Sequence, residues 1–266
     1  MRPKLKDNAE LMIKDFIRQK VEESGGNGVV VGLSGGLDSA VVAALSAQAI
    51  GSNNVLAVHM PSETSLSKDL DDSKELANQF GIEFKVLSIA GPVAAFGQIL
   101  PSKDRKDLMG NVMARCRMVL LFHHANIMGR VVMGTGNKSE LLMGYFTKFG
   151  DGGSDYLPIG DIYKTEVKDL ARRIGIPEHM IEKPPSAGLW AGQTDEDEMG
   201  VTYEDLDQIL LGLEMGLTQE RIIFDTGLEP ALVERIWKRY LATVHKRKMP
   251  LIPKIGIRTI GLDWRE

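Results

Sequence analysis

Apolar and polar positions along the chain alternate between two periods. Residues 4–23 place Leu5, Ala9, Met12, Ile13, Phe16, Ile17 and Val21 at helical spacing, which predicts an amphipathic helix. Ser24-Gly25-Gly26-Asn27-Gly28 breaks it. Val29-Val30-Val31 is then a short apolar, β-branched run, the mark of a strand buried on both faces. After a glycine-rich turn the pattern predicts a helix from about Asp38 to Ile50, a strand at 54–60, a helix at 66–80 and a strand at 82–89. A long helix over 107–128, a strand at 130–134 and a short helix near 137–143 follow. Strands alternating with helices at this spacing predict βαβ units and a doubly wound, mostly parallel sheet, an α/β fold.

Past residue 144 the pattern changes. Residues 144–161 read as a long glycine-rich loop, a length that usually serves function. Helices are predicted at 163–174, 202–213, 218–225 and 229–245, with a second mobile loop at 183–200. No repeat and no low-complexity tract occurs. The expectation is one domain over 1–266: an N-terminal helix to residue 23, an α/β core over 24–175, and a helical C-terminal part with its loop over 176–266.

Composition narrows the class. The chain has 266 residues, 32 Lys+Arg against 36 Asp+Glu, and a formal charge of -4. That balance argues against a general nucleic-acid binder. No apolar run is long enough to span a membrane. One cysteine, Cys116, forbids an internal disulfide and a multi-cysteine metal site. With no secretory signal, it suits a reducing, cytoplasmic compartment. Seven acids crowd 195–207 and six bases crowd 235–248, and both tracts read as solvated faces. Glycine is in excess at 28 residues, and half of them lie in two segments, 25–36 and 129–160. Those segments carry the candidate chemistry.

The first is Gly32-Leu33-Ser34-Gly35-Gly36-Leu37-Asp38-Ser39, between a strand and a helix. Glycines let successive N–H groups point into one concavity at a helix N-terminus, a nest for phosphate oxygens. Ser34 and Ser39 add hydroxyls. No Walker lysine is present. Asp38 stands there instead, and a carboxylate beside phosphate calls for a cation between them, which makes it a natural Mg²⁺ ligand. The plainer reading is a tight turn before a helix, with Asp38 merely favourable to the dipole.

This run resembles the pyrophosphate loop of the N-type ATP pyrophosphatases, which cleave ATP between its α and β phosphates and adenylylate a substrate. Further motifs select among them: Gly134-Thr135-Gly136-Asn137-Lys138-Ser139-Glu140, then 144–155 with Lys148, then Pro158 to Thr165, together with Gly110 to Arg115, Lys183 to Ala187, and His245-Lys246. In that order they resemble the ammonia-dependent NAD synthetases over most of the chain. The resemblance implies an enzyme that amidates deamido-NAD with ammonia through an adenylylated carboxylate, releasing AMP and pyrophosphate, as a homodimer with the dinucleotide at its interface. It implies that residues 32–39 cradle ATP phosphates, that Asp38 and Glu140 hold Mg²⁺, and that Thr135, Lys164 and Ser186 contact ATP. Arg115, Lys148, Asp155, His245 and Lys246 would bind deamido-NAD, and Asp151 would orient ammonia or take its proton. Tyr145 and Phe122 are candidates to stack on the nicotinic ring.

Each residue has a blander reading. Glu140 and Arg115 suit a helix surface, and His245-Lys246 suits a helix C-terminus. Lys164, at a helix start, opposes the dipole and so points to another role. Asp69, Asp71 and Asp72 read as one helix face. The competing functions are a tRNA-modifying pyrophosphatase, which would want a basic groove or a thiol pair, and a regulatory module that holds ATP without turnover, which would need only the first loop.

Overall fold

A computed structural model describes residues 1–101, 104–190 and 192–260. Ala191, inside the second expected loop, and residues 261–266, at the end of the expected C-terminal part, lie outside the described residues.

Four strands form one parallel sheet in the order β3-β2-β1-β4: β1 Val29–Gly32, β2 Val55–His59, β3 Glu83–Val86 and β4 Val131–Met133. Val29 pairs with Val55 on one side and Val131 on the other. The side-chain period of two divides β1 and β2 between two cores. Val29, Val31, Val55 and Ala57 face one core with α1 (Ala9–Glu23), α2 (Leu37–Ile50) and α7 (Lys164–Ile174). Val30, Leu56 and Val58 face another, with Cys116 and Ala125 of α5 (Lys106–Met128). Both faces are covered, which is why these strands are apolar throughout. β3 is the exposed edge, and Glu83 and Lys85 suit that position.

The chain steps outward from β1 through α2, β2, α3 (Ser67–Phe80) and β3. It then returns through α4 (Ala90–Ile99) and α5 to place β4 on the other side of β1. The strand order therefore reverses between β1 and β4, where open α/β sheets bind ligands. The loops after these two strands lie side by side above the sheet. A third core unites α6 (Lys138–Met143), α10 (Tyr203–Glu214), α11 (Gln219–Thr226) and α12 (Pro230–Ala242). Among the described residues, no helix is long and apolar enough to cross a membrane.

Several details differ from expectation. The first helix begins at Ala9, not residue 4. Leu5 reaches the core from a non-helical lead, while Met12, expected on the apolar face, is exposed. α4, α8 (Glu178–Ile181) and α9 (Asp195–Met199) were not expected, and the last helix stops at Ala242 before a 3-10 turn at Val244–Lys246. Asp72 is no surface acid: it is buried and ion-paired with Lys183.

Candidate active site

β1 runs into the glycine- and serine-rich loop, and α2 starts at Leu37 with Gly36 as its N-cap and no side chain capping it. The first-turn N–H groups are thus left for a ligand. Within the loop the hydroxyls hold the backbone. Ser34 Oγ accepts from Gly36 N–H at 3.2 Å, Ser39 Oγ accepts from Ser34 N–H at 3.2 Å, and the Ser39 hydroxyl donates to the Gly36 carbonyl at 2.9 Å. Gly35 has φ +81°, and a Cβ there would stand 2.5 Å from the Asp69 carbonyl oxygen. Only glycine fits so close to the start of α3.

Asp38, in the first turn of α2, meets groups from far along the chain. Asn137 Nδ2 donates to Asp38 Oδ1 at 3.1 Å, and the Lys164 ammonium pairs with Asp38 Oδ2. Asn137 also accepts from Glu140 N–H at 3.0 Å, while Glu140 Oε2 accepts from Asn137 N–H at 3.2 Å. This capping box fixes the start of α6 and aims Glu140 at the same centre. Burial and then the nearby Asp38 charge push the Glu140 carboxyl well above the usual range. Two carboxylates facing one centre at a helix N-terminus form a donor set that fits a hard divalent cation. The described residues contain no cluster of three or more ligands that would hold a metal alone.

Lys164 is only 3% exposed. Burial opposes its charge, but Asp38 and Glu140 outweigh that and hold the ammonium above its ordinary value. Its charge also lies 5.5 Å from the Tyr203 ring centre. Asp195, 4% exposed, faces the same centre and accepts from Tyr145 Oη at 3.1 Å and Tyr203 Oη at 3.2 Å. Burial pushes the Asp195 carboxyl up, and Lys164 pulls it down.

Behind the centre, Asp207 is fully buried and joins three helices. It accepts from Ser139 Oγ of α6, and from Thr165 N–H at 2.9 Å and Thr165 Oγ1 at 2.8 Å in α7. Burial pushes it up to about 6 despite those donors. The acidic tract at 195–207 is therefore not wholly a solvated face, since its first and last members are interior. The basic tract is also largely engaged. Arg247 donates to the Leu142 carbonyl at 2.7 Å, Arg239 to Met143 at 3.2 Å, and Arg235 to Gly200 at 2.8 Å, covering carbonyls at the ends of α6 and α9. Cations there also complement the helix dipoles.

In front, a cleft is lined by Thr135, Gly136, Glu140, Leu141, Phe146, Asp151, Gly152 and Leu157. Asp151 Oδ1 accepts from Thr147 N–H at 2.8 Å. The residue keeps an exposed face, yet burial of its carboxyl pushes it up. Lys246 spans the loop, donating to the Gly144 and Phe146 carbonyls at 2.7 and 2.6 Å. Lys148 donates to the His245 carbonyl at 2.9 Å, and Arg115 to the Lys148 carbonyl at 3.3 Å. Arg115, Lys148, His245 and Lys246 thus gather at one loop. Asp155 lies apart from them, its Oδ2 accepting from Val132 N–H at 2.7 Å beside β4. Ser186 is exposed, its Oγ accepting from Gly188 N–H at 3.1 Å. The Tyr145 hydroxyl is taken by Asp195 and Glu198. Phe122 packs partly buried against the α5 core.

The NAD synthase family model matches residues 11–250. The chain belongs to the NAD synthase family. It is 48% identical over 258 residues to the NH(3)-dependent NAD(+) synthetase of Methanococcoides burtonii, covering 96% of this chain and 97% of that one. Among solved structures it resembles the NMN synthetase of Francisella tularensis (TM-score 0.83, 35% identity, 93% and 98% coverage). It also resembles the NH3-dependent NAD synthetase of Campylobacter jejuni (TM-score 0.79, 34% identity, the same coverage). The expected α/β fold holds, and the chain is an enzyme of the ligase class.

Asn137, Asp195 and Lys183 escaped the sequence reading as participants. Asn137 had a signal, the Asn-x-x-Glu spacing of a capping box. Asp195 had none, because the tyrosines that bury it lie elsewhere in the chain.

Proposed function

We propose that the chain converts deamido-NAD to NAD with ATP and ammonia, through an acyl-adenylate, releasing AMP and pyrophosphate. The observation that carries this reading is the meeting of Asp38, Asn137, Glu140 and Lys164 at the mouth of the phosphate loop. A carboxylate is a poor acyl donor, so it must first attack the α-phosphate. That step concentrates negative charge on the phosphates, and preorganised donors and cations lower its barrier.

In this reading the N–H groups of residues 34–39 and the Ser34 and Ser39 hydroxyls receive the departing pyrophosphate. Lys164, buried and held charged, turns toward the phosphates. Asp38 and Glu140 would hold Mg²⁺, which would neutralise phosphate charge and orient the oxygens. Thr135 borders the cleft at the phosphate end, and Ser186 contacts ATP once its segment closes. Arg115, Lys148, His245 and Lys246 gather the dinucleotide around the 144–155 loop. Asp155 contributes mainly by holding that loop against β4. Asp151, with its carboxyl pushed up, is suited to accept a proton from the attacking nitrogen as ammonia displaces AMP.

A homodimer belongs to the same proposal. Phe96 and Ile99 of α4 and Val119 and Ile127 of α5 are exposed apolar residues suited to a second copy.

The test is to incubate the protein with Mg-ATP, deamido-NAD and ammonium and to follow NAD and AMP. Formation of ADP, or no NAD above background, refutes the reading. The likeness to an NMN synthetase supports one rival acid, nicotinic acid mononucleotide. A higher kcat/KM for the mononucleotide would replace the dinucleotide as substrate.

A further inference from the structure

Lys183 precedes the Pro184-Pro185-Ser186 run, and its ammonium makes three short contacts. It donates to Asp69 Oδ1 at 2.8 Å, to Asp72 Oδ2 at 2.6 Å, and to the Gly35 carbonyl at 2.9 Å. The two acids belong to α3, but the carbonyl belongs to the phosphate loop. A peptide unit is planar and trans, so its C=O and N–H point in opposite directions. Holding the Gly35 oxygen therefore fixes where the Gly36 N–H points. That N–H is directed at Ser34 Oγ, on the hydroxyl-lined side of the loop. Gly35 sits at positive φ and carries no Cβ, so its backbone is free to choose other orientations. An external hold on this peptide is what a glycine-rich nest lacks by itself.

We propose that Lys183 is a positioning residue for the phosphate loop: it pins the Gly35–Gly36 peptide, whose N–H holds Ser34 Oγ in place at the loop mouth, and it makes the loop's shape depend on docking of the segment that starts at Lys183. The proposal rests on the reading that residues 32–39 hold ATP phosphates. Asp69 and Asp72 hold the ammonium in place, and the same segment is anchored further on, where Thr64 Oγ1 donates to the Leu189 carbonyl at 3.2 Å.

The experiment compares Lys183→Met with Asp72→Asn, which leaves the bond to Gly35 intact. Pyrophosphate binding is measured by calorimetry, and KM for ATP and deamido-NAD by steady-state kinetics. In Lys183→Met, pyrophosphate affinity and KM for ATP are expected to worsen about tenfold, with KM for deamido-NAD within about twofold of the parent. Asp72→Asn should shift KM for ATP less than about threefold. Should Lys183→Met not fold, Lys183→Gln, shorter and uncharged, is expected to show the same selective loss. Unchanged phosphate affinity in the lysine variant overturns the proposal, as does an equal loss in both variants, which would assign the effect to ion-pair anchoring alone. If the parent itself fails to bind pyrophosphate, the phosphate-loop reading fails instead.

Discussion

Asp207 offers a prediction whose sign changes with pH. It is fully buried at the junction of α6, α7 and α10, and its carboxyl is pushed up to about 6. An ordinary aspartate titrates near 3.9, and each pH unit of separation corresponds to about 1.4 kcal/mol. The folded state thus holds this proton more tightly than the unfolded chain. The stabilising contribution is fully present below about 3.9 and is lost as pH rises through about 6. Integrating the two titrations, the loss between pH 5.0 and 7.5 is about 1.4 kcal/mol. Asp207→Asn cannot ionise. Its amide oxygen still accepts from Thr165, but its NH2 faces the Ser139 hydroxyl, and rearranging that contact costs about 1 kcal/mol. The variant should therefore be less stable than the parent at pH 5.0 and should gain about 1.4 kcal/mol relative to it by pH 7.5. Urea unfolding of both proteins at the two pH values measures this, because other titrations cancel in the difference. A difference that stays flat, or that moves against the variant at higher pH, refutes the assignment.

Other perturbations test the site. Asp38→Ala and Glu140→Ala should each reduce NAD formation by at least about a hundredfold while circular dichroism and the melting curve keep a folded protein; retained turnover would remove both from the metal site. Gly35→Ala should lose pyrophosphate binding and lower stability by about 1–3 kcal/mol, because a Cβ at φ +81° would press on the Asp69 backbone. An alanine variant with parental affinity would contradict the tight wrap. Saturating Mg-ATP with deamido-NAD should slow proteolysis within 144–160 and 183–200, followed by mass spectrometry of the fragments. Equal cleavage rates with and without ligands would count against closure of those segments.

The core strands were legible because Val29-Val30-Val31 is apolar and β-branched and residues 55–58 are apolar, both without alternation. The tight turn at residues 32–39 was legible because glycine and serine spacing carries its own backbone logic. α4 was not, since Ala90-Gly91-Pro92 and Gly97 dilute helix propensity until packing on α5 stabilises it. α9 is five acid-rich residues whose N-cap, Thr194, and burial of Asp195 depend on tertiary context. Lys164 was half legible: its position against the helix dipole implied a partner, but only folding brings Asp38 to it. In the same way, a count of charges in 235–248 describes solvent-facing side chains, whereas the arginines there find main-chain oxygens that no local pattern reveals.

Those arginines make the C-terminal helices the mount of the proposed metal-binding helix. α6 is six residues long, too short to hold its own direction. Its leading turn aims Glu140, while its trailing carbonyls are clasped by Arg239 and Arg247 from α12 and the turn beyond it. A small tilt of α12 would swing the far end of that short rod, as a loosened bracket misaligns the instrument bolted to it. Substitutions near residue 240 are then expected to register as changes in metal and nucleotide handling at Glu140, without touching either ligand.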